Sequence, residues 1–130
     1  MHARFLFGFG YAPAMPLIQV FTSAGAPADG GGKLLGELSA LLAKRFGKPE
    51  KYVMTCLVPD QAMTFAATPA AAAFAVVKNV GKMSPDDTSF LSREICDRLA
   101  RGLGVERDRI YIEFTDATGY LWGWNGDTFG

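Results

Sequence analysis

Met15-Pro16 is the point in this chain where a neutral amine base could be made. If translation starts at Met15, removal of the initiator leaves Pro16 with a free secondary amine. An α-amino group titrates at about 7.7–8. Burial among apolar side chains disfavours the charged form and lowers that value. An amine that is neutral near pH 7 can serve as a general base. Read by itself, the pair more simply marks a proline opening an edge strand. Other routes to chemistry are sparse. The single histidine, His2, stands at the terminus, so no imidazole is left for a triad or metal cluster inside the fold. Cys56 and Cys96 are too few for a disulfide framework or a four-cysteine zinc site. Each lies in an apolar stretch and reads as a buried small hydrophobe. No Walker loop occurs. Gly8, Gly10, Gly30, Gly31 and Gly32 do not form a dinucleotide fingerprint between a strand and a helix. Neither a cofactor nor a metal is expected.

The composition limits the partners. Thirteen basic residues balance thirteen acidic ones, whereas a nucleic-acid binder normally needs a basic excess to neutralise phosphates. With 130 residues, 49% of them apolar, the chain can build one domain around one core. The uncharged stretch from Phe5 to Ala28 is interrupted by Pro13, Pro16 and Pro27, which makes a poor membrane span. Residues 1–14 read as an N-terminal extension, and residues 15–130 as the domain. Arg4, the apolar run Phe5 to Tyr11 and then Ala12-Pro13-Ala14 form a very short signal-like pattern, weakened by its glycines and proline. The simpler reading is an upstream start or a tag-like segment, with the protein proper beginning at Met15.

The elements that must position Pro16 come in two similar units. Leu17 to Thr22 reads as a strand, and Leu34, Leu35, Leu38, Leu41, Leu42 and Phe46 recur at helical spacing. Gly47 and Pro49 end that helix. Tyr52 to Val58 reads as a second strand. Gln61 to Ala73 is alanine-rich and ambiguous. Phe74 to Val80 is a third strand. Ser84-Pro85-Asp86-Asp87 opens a second helix with a capping residue, a proline at the first helical position and an acid at the third. Arg109 to Thr115 is a fourth strand. The pattern predicts an α/β (α+β) fold: two β-α-β units forming a four-stranded mixed sheet with two helices on one face. The strands are nevertheless apolar on both faces, as in Tyr52-Val53-Met54-Thr55-Cys56-Leu57-Val58. Nothing in the chain supplies a third layer, so a second copy is expected to cover the other face.

From Met15 onward the chain resembles the macrophage migration inhibitory factor family of the tautomerase superfamily. The resemblance is carried by Pro16-Leu17-Ile18, Gly47-Lys48-Pro49-Glu50-Lys51-Tyr52-Val53 and Val58-Pro59-Asp60-Gln61-Ala62-Met63-Thr64-Phe65. It continues in Val80-Gly81-Lys82, Asp108-Arg109-Ile110-Tyr111-Ile112 and Gly123-Trp124-Asn125-Gly126-Asp127-Thr128-Phe129. It implies a homotrimer with its sheets forming an inner barrel. It also implies keto–enol tautomerase activity on phenylpyruvate-type 2-oxo acids, or on dopachrome. Pro16 matches the family's catalytic proline, and Lys48 the lysine that binds the substrate carboxylate. Val80 matches an aliphatic residue whose backbone N–H contacts substrate. Tyr111 matches a pocket tyrosine contributed by a neighbouring subunit. Glu113 stands where the best-known members have asparagine near the substrate ring. The family's two-cysteine motif is replaced by Ala72-Ala73-Phe74-Ala75, so its thiol chemistry is not expected. The resemblance leaves a second function open, a cytokine-like ligand for a protein receptor with the pocket secondary. A cytoplasmic location is expected, with export lacking a conventional signal peptide as the alternative. No membrane partner is expected.

Overall fold

The first strand forms where β-branched and apolar residues run together, and β1 spans Leu17–Thr22. The computed structural model describes residues 15–130; the reading of residues 1–14 as an extension lies outside them. Helix α1 follows at Gly32–Phe46 and turns its leucines inward. It stops at Gly47, whose φ of 64° suits glycine far better than any side chain. The Gly47 N–H donates to Lys44 O and the Lys48 N–H to Ala43 O, which satisfies the last carbonyls. A single 3₁₀ turn at Glu50–Tyr52 precedes β2, Met54–Val58. The second strand therefore begins two residues later than the sequence pattern suggests. Pro49 is held extended, and the three residues after it tighten into that turn.

The second unit repeats the plan with β3 at Ala73–Val80, α2 at Pro85–Leu103 and β4 at Ile110–Ala117. The capping box expected at Ser84 is present. The Ser84 hydroxyl accepts from the Asp87 amide, and Asp87 accepts from the Ser84 amide. That amide, helped by the Ser84 hydroxyl and by Arg45 at 2.9 Å, holds the Asp87 carboxyl below its usual range against its partial burial. The same ion pair ties α1 to the start of α2.

The sheet order is β2-β1-β3-β4. β1 and β2 are parallel, β3 and β4 are parallel, and the units meet antiparallel through β1 and β3. Ile18, Val20, Ala75 and Val77 pack against Leu38 and Leu42 of α1 and Leu91, Ile95 and Leu99 of α2. Both helices thus lie on one face, as the pattern suggests. Leu17, Phe21, Met54, Phe74 and Tyr111 alternate onto the opposite face. Met54 and Tyr111 are about two-thirds exposed in the single chain.

Two expectations are corrected here. Cys56 alternates onto the open face with Met54 and is half-buried, and Cys96 is half-buried on α2, where its thiol lies 3.6 Å from Arg107 O. Neither is a core residue. The chain also ends in a feature absent from the expected element order, a small hairpin of β5, Gly123–Trp124, and β6, Asp127–Thr128. Asn125 and Gly126 form its turn with φ of 52° and 82°, the two left-handed residues that a tight hairpin of matching twist requires.

Candidate active site

Pro16 is fully buried at the entrance to β1. Its carbonyl accepts from the Met54 amide at 3.2 Å, so the strand pairing extends to it. β3 runs antiparallel to β1 and ends at Val80, which brings Val80 to the same end of the sheet. Alternate residues of a strand direct their amides to alternate neighbours. The Gly81 N–H goes to Ala117 O on β4, so the Val80 N–H is turned the other way, toward the entrance of β1. Lys48 reaches this end by a different route. β2 is parallel to β1, so the connection from α1 enters β2 beside Pro16. The glycine-capped helix end fixes the Lys48 backbone within that connection.

An apolar cluster adjoins these residues. Met15, Val80 and Phe129 are buried together, with Tyr52, Trp122 and Trp124 packed around them. Trp124 stacks on Phe129 at 6.2 Å and meets Tyr52 edge-on at 5.8 Å. Sequence reasoning had not singled out these aromatic side chains as site residues. Gly123 to Phe129 and Tyr52 do fall in segments that carry the family resemblance, which was the available signal. In the chain that retains Met15, that side chain lies within the cluster.

Tyr111 and Glu113 are not brought to Pro16 within one chain. Tyr111 pairs with Phe74 and Glu113 with Val76, so both side chains share the open face. Six residues of β3 separate Phe74 from Val80, roughly 20 Å at about 3.3 Å per residue. The Thr115 hydroxyl donates to Glu113 Oε2 at 3.1 Å, and Tyr111 lies 5.0 Å from the Phe65 ring. Among the described residues no three His, Cys, Asp or Glu side chains converge on a metal position. No helix among them is long and apolar enough to cross a membrane. A groove of about 600 Å³ runs between α1 and α2, but it holds none of the expected site residues. Two of its cations, Arg45 and Arg98, are engaged by Asp87 and Glu94.

Residues 15–130 match the family model described as macrophage migration inhibitory factor (MIF). The chain belongs to the macrophage migration inhibitory factor family. That places it in the tautomerase superfamily. Among MIF proteins, that of Xenopus tropicalis is 35% identical over 96 residues, covering 74% of this chain and 84% of the relative. The MIF homolog of Trichinella spiralis is 32% identical over 118 residues, covering 88% of this chain and 100% of the relative. The solved structure of a MIF homologue from Prochlorococcus marinus superposes with a TM-score of 0.84 at 44% identity. It covers 88% of this chain and 99% of that one. The MIF structure from Trichinella spiralis gives 0.78 at 31% identity, covering 87% and 99%. The mixed sheet with two helices on one face is the MIF fold.

Arg109 links this fold to the loop beside Tyr111. Its guanidinium donates to four carbonyls, those of Phe65, Thr68, Ala70 and Ala71, at 2.8–3.2 Å. Its planar fork makes several such bonds at once, which an ammonium cannot reproduce. Arg109→Ala is expected to lower unfolding free energy by about 2 kcal/mol, the scale of losing a charged donor's hydrogen bonds, with Arg109→Lys recovering less than half. Denaturant titration of the three proteins checks this. A loss below about 0.5 kcal/mol would mean that other contacts hold the loop.

Proposed function

We propose that this chain, in a form beginning at Pro16, is a keto–enol tautomerase of phenylpyruvate-type 2-oxo acids that works as a homotrimer. The observation that carries the reading is the burial of Pro16 beside Val80 and an aromatic-lined apolar cluster. Burial favours the neutral amine. That amine takes a proton from the carbon next to the substrate carbonyl, and the electron pair moves onto the carbonyl oxygen. Return of the proton to oxygen completes the enol, and the reverse order regenerates the ketone. Lys48 is a compact cation suited to the substrate carboxylate. The Val80 amide is a further donor facing the site. The apolar cluster suits the aromatic end of the substrate once Met15 is absent. No cofactor takes part in these steps.

Tyr111 and Glu113 enter through a neighbouring subunit. Their distance from Pro16 within one chain, and their exposure on the open face, support a site shared between copies. The test is absorbance decay of enol-phenylpyruvate with a chain whose mass confirms that it begins at Pro16. Enzyme-dependent conversion is expected. Its absence in a correctly processed, assembled protein would turn the reading toward a receptor-binding ligand with a secondary pocket.

Glu113 is expected to set substrate preference. An ionised carboxylate accepts a hydrogen bond from a phenol and disfavours a second anion. Hydroxyphenylpyruvate should therefore be preferred over phenylpyruvate. Glu113→Asn should shrink the kcat/KM ratio about tenfold, in line with roughly 1.5–3 kcal/mol for a hydrogen bond to a charged group. An unchanged ratio would remove Glu113 from the pocket.

A further inference from the structure

The groove of about 600 Å³ between α1 and α2 is lined by one stripe of side chains from each helix. From α1 come Glu37, Ala40, Leu41, Lys44 and Arg45, spaced three and four apart. From α2 come Phe90, Glu94, Arg98 and Arg101, spaced in the same way. Ala40, Lys44 and Arg101 are exposed, so the groove opens to solvent on the side of the helices away from the sheet. Arg45 meets Asp87 near the start of α2, and a Cβ at Gly102 near its end would lie 3.1 Å from Leu34. The helices therefore run antiparallel. The stripes are about 12 and 16 Å long at about 1.5 Å per residue, which is roughly three turns of a helix laid along them.

The floor is apolar and the ends are charged. Ala40, Leu41 and Phe90 form the floor, and the Arg45 and Arg93 guanidinium groups lie 4.5 and 5.8 Å from the centre of the Phe90 ring. The whole chain carries no net charge, yet this lining holds four cations, Lys44, Arg45, Arg98 and Arg101, against Glu37 and Glu94. Asp87 engages Arg45, and Glu94 engages Arg98. The Arg98 hydrogen bond first, and then the charges of Arg98, Arg93 and Arg101, hold the Glu94 carboxyl below its usual range against desolvation. Lys44 and Arg101 make no ion pair among the described residues. With the helices antiparallel, Lys44 stands at the Phe90 end of the floor and Arg101 at the other.

We propose that this groove docks a short acidic amphipathic helix of a partner protein, with its apolar side chains on Ala40, Leu41 and Phe90 and its carboxylates at Lys44 and Arg101. An apolar helix stripe laid in a groove between two helices is a recurring mode of recognition, and the two end cations fix its charge. A uniformly anionic polymer fits less well, because its charges would meet Glu37 and Glu94 and it has nothing to place on the floor. Residues 1–14 also fit less well, since they carry Arg4 and no carboxylate. The groove lies on the face opposite the one proposed to meet other copies, so a trimer leaves it open. The proposal does not depend on Pro16 as a base.

The probe is a fluorescein-labelled synthetic helix of about twelve residues, with glutamates near both ends and leucines three and four apart between them. Fluorescence anisotropy with the whole protein should show saturable binding with a Kd of about 10–100 µM. Lys44→Glu/Arg101→Glu should weaken it at least tenfold. The same variant should bind a helix with lysines in place of the glutamates better than the wild type does. Both side chains are exposed and outside the core, so circular dichroism and phenylpyruvate turnover should match the wild type. Replacing the leucines of the helix with alanine should also weaken binding at least tenfold. No saturable binding by the wild type, or equal binding by the wild type and the charge-reversed variant, would overturn the proposal. Equal binding of the leucine and alanine helices, or tighter binding of a heparin oligosaccharide than of the leucine helix, would overturn it in favour of a site that reads charge alone.

Discussion

A chain beginning at Pro16 is expected to tautomerise phenylpyruvate at least a hundredfold faster than the same chain with Met15 retained. Two effects act together. An amide nitrogen has no basic lone pair, so retention of Met15 removes the base, and a positioned general base contributes about 10²–10⁴-fold. Retention also leaves the Met15 side chain among Val80, Phe129, Tyr52, Trp122 and Trp124, the surface on which the substrate's aromatic end would rest. The two effects can be separated. A chain carrying a single glycine before Pro16 has no side chain to place in the cluster, yet its Pro16 is still an amide. It should bind a product-like carboxylate better than the Met15 chain while remaining equally slow. Initial rates for the three chains, each with its mass verified, decide the matter. Equal rates in the Pro16 and Met15 forms would remove Pro16 from the mechanism.

The second large effect concerns the open face of the sheet. Met54 is 65% exposed and Phe74 37% exposed in the single chain, and neither belongs to the helix-covered core. Replacing both with glutamate should cost the isolated fold little. If that face is buried between copies, the same change forgoes about 1.5–3 kcal/mol for each fully buried side chain, in every subunit. It also forces carboxylates out of water, at several kcal/mol each. Met54→Glu/Phe74→Glu should therefore be monomeric at micromolar concentration, whereas the wild type is expected to be a trimer, and light scattering of both checks this. Turnover should fall at least a hundredfold, because Tyr111 and Glu113 can then no longer reach another chain's Pro16. A variant that stays trimeric and active would place the subunit interface elsewhere.

The elements most legible in the sequence are those whose signals are local. Gly47 and Pro49 end α1, and Ser84-Pro85-Asp86-Asp87 starts α2, each through a mechanism confined to a few neighbouring residues. Tyr111 and Glu113 could be placed on one face because side chains two apart in a strand point the same way. Less legible features depend on long-range packing. Tyr52 is far in sequence from Trp124 and Phe129 and meets them only when the hairpin folds back, so no periodicity announces the cluster. The hairpin strands are two residues each, too short to show alternation, although Asn125-Gly126 was a usable turn signal. Cys56 sits in an apolar run that looked like core, but alternation turns it to the open face.

The central claim is that freed Pro16 moves a proton at the carbon next to a 2-oxo acid's carbonyl. Deuterium uptake into phenylpyruvate in heavy water, followed by NMR, reads that step directly. The Pro16-initiated trimer should accelerate exchange at that carbon well beyond the buffer rate, with one of the two methylene positions exchanging preferentially, and the Met15-retaining chain should not. Exchange at the buffer rate in a trimer of verified mass, or equal acceleration by both chains, would contradict it.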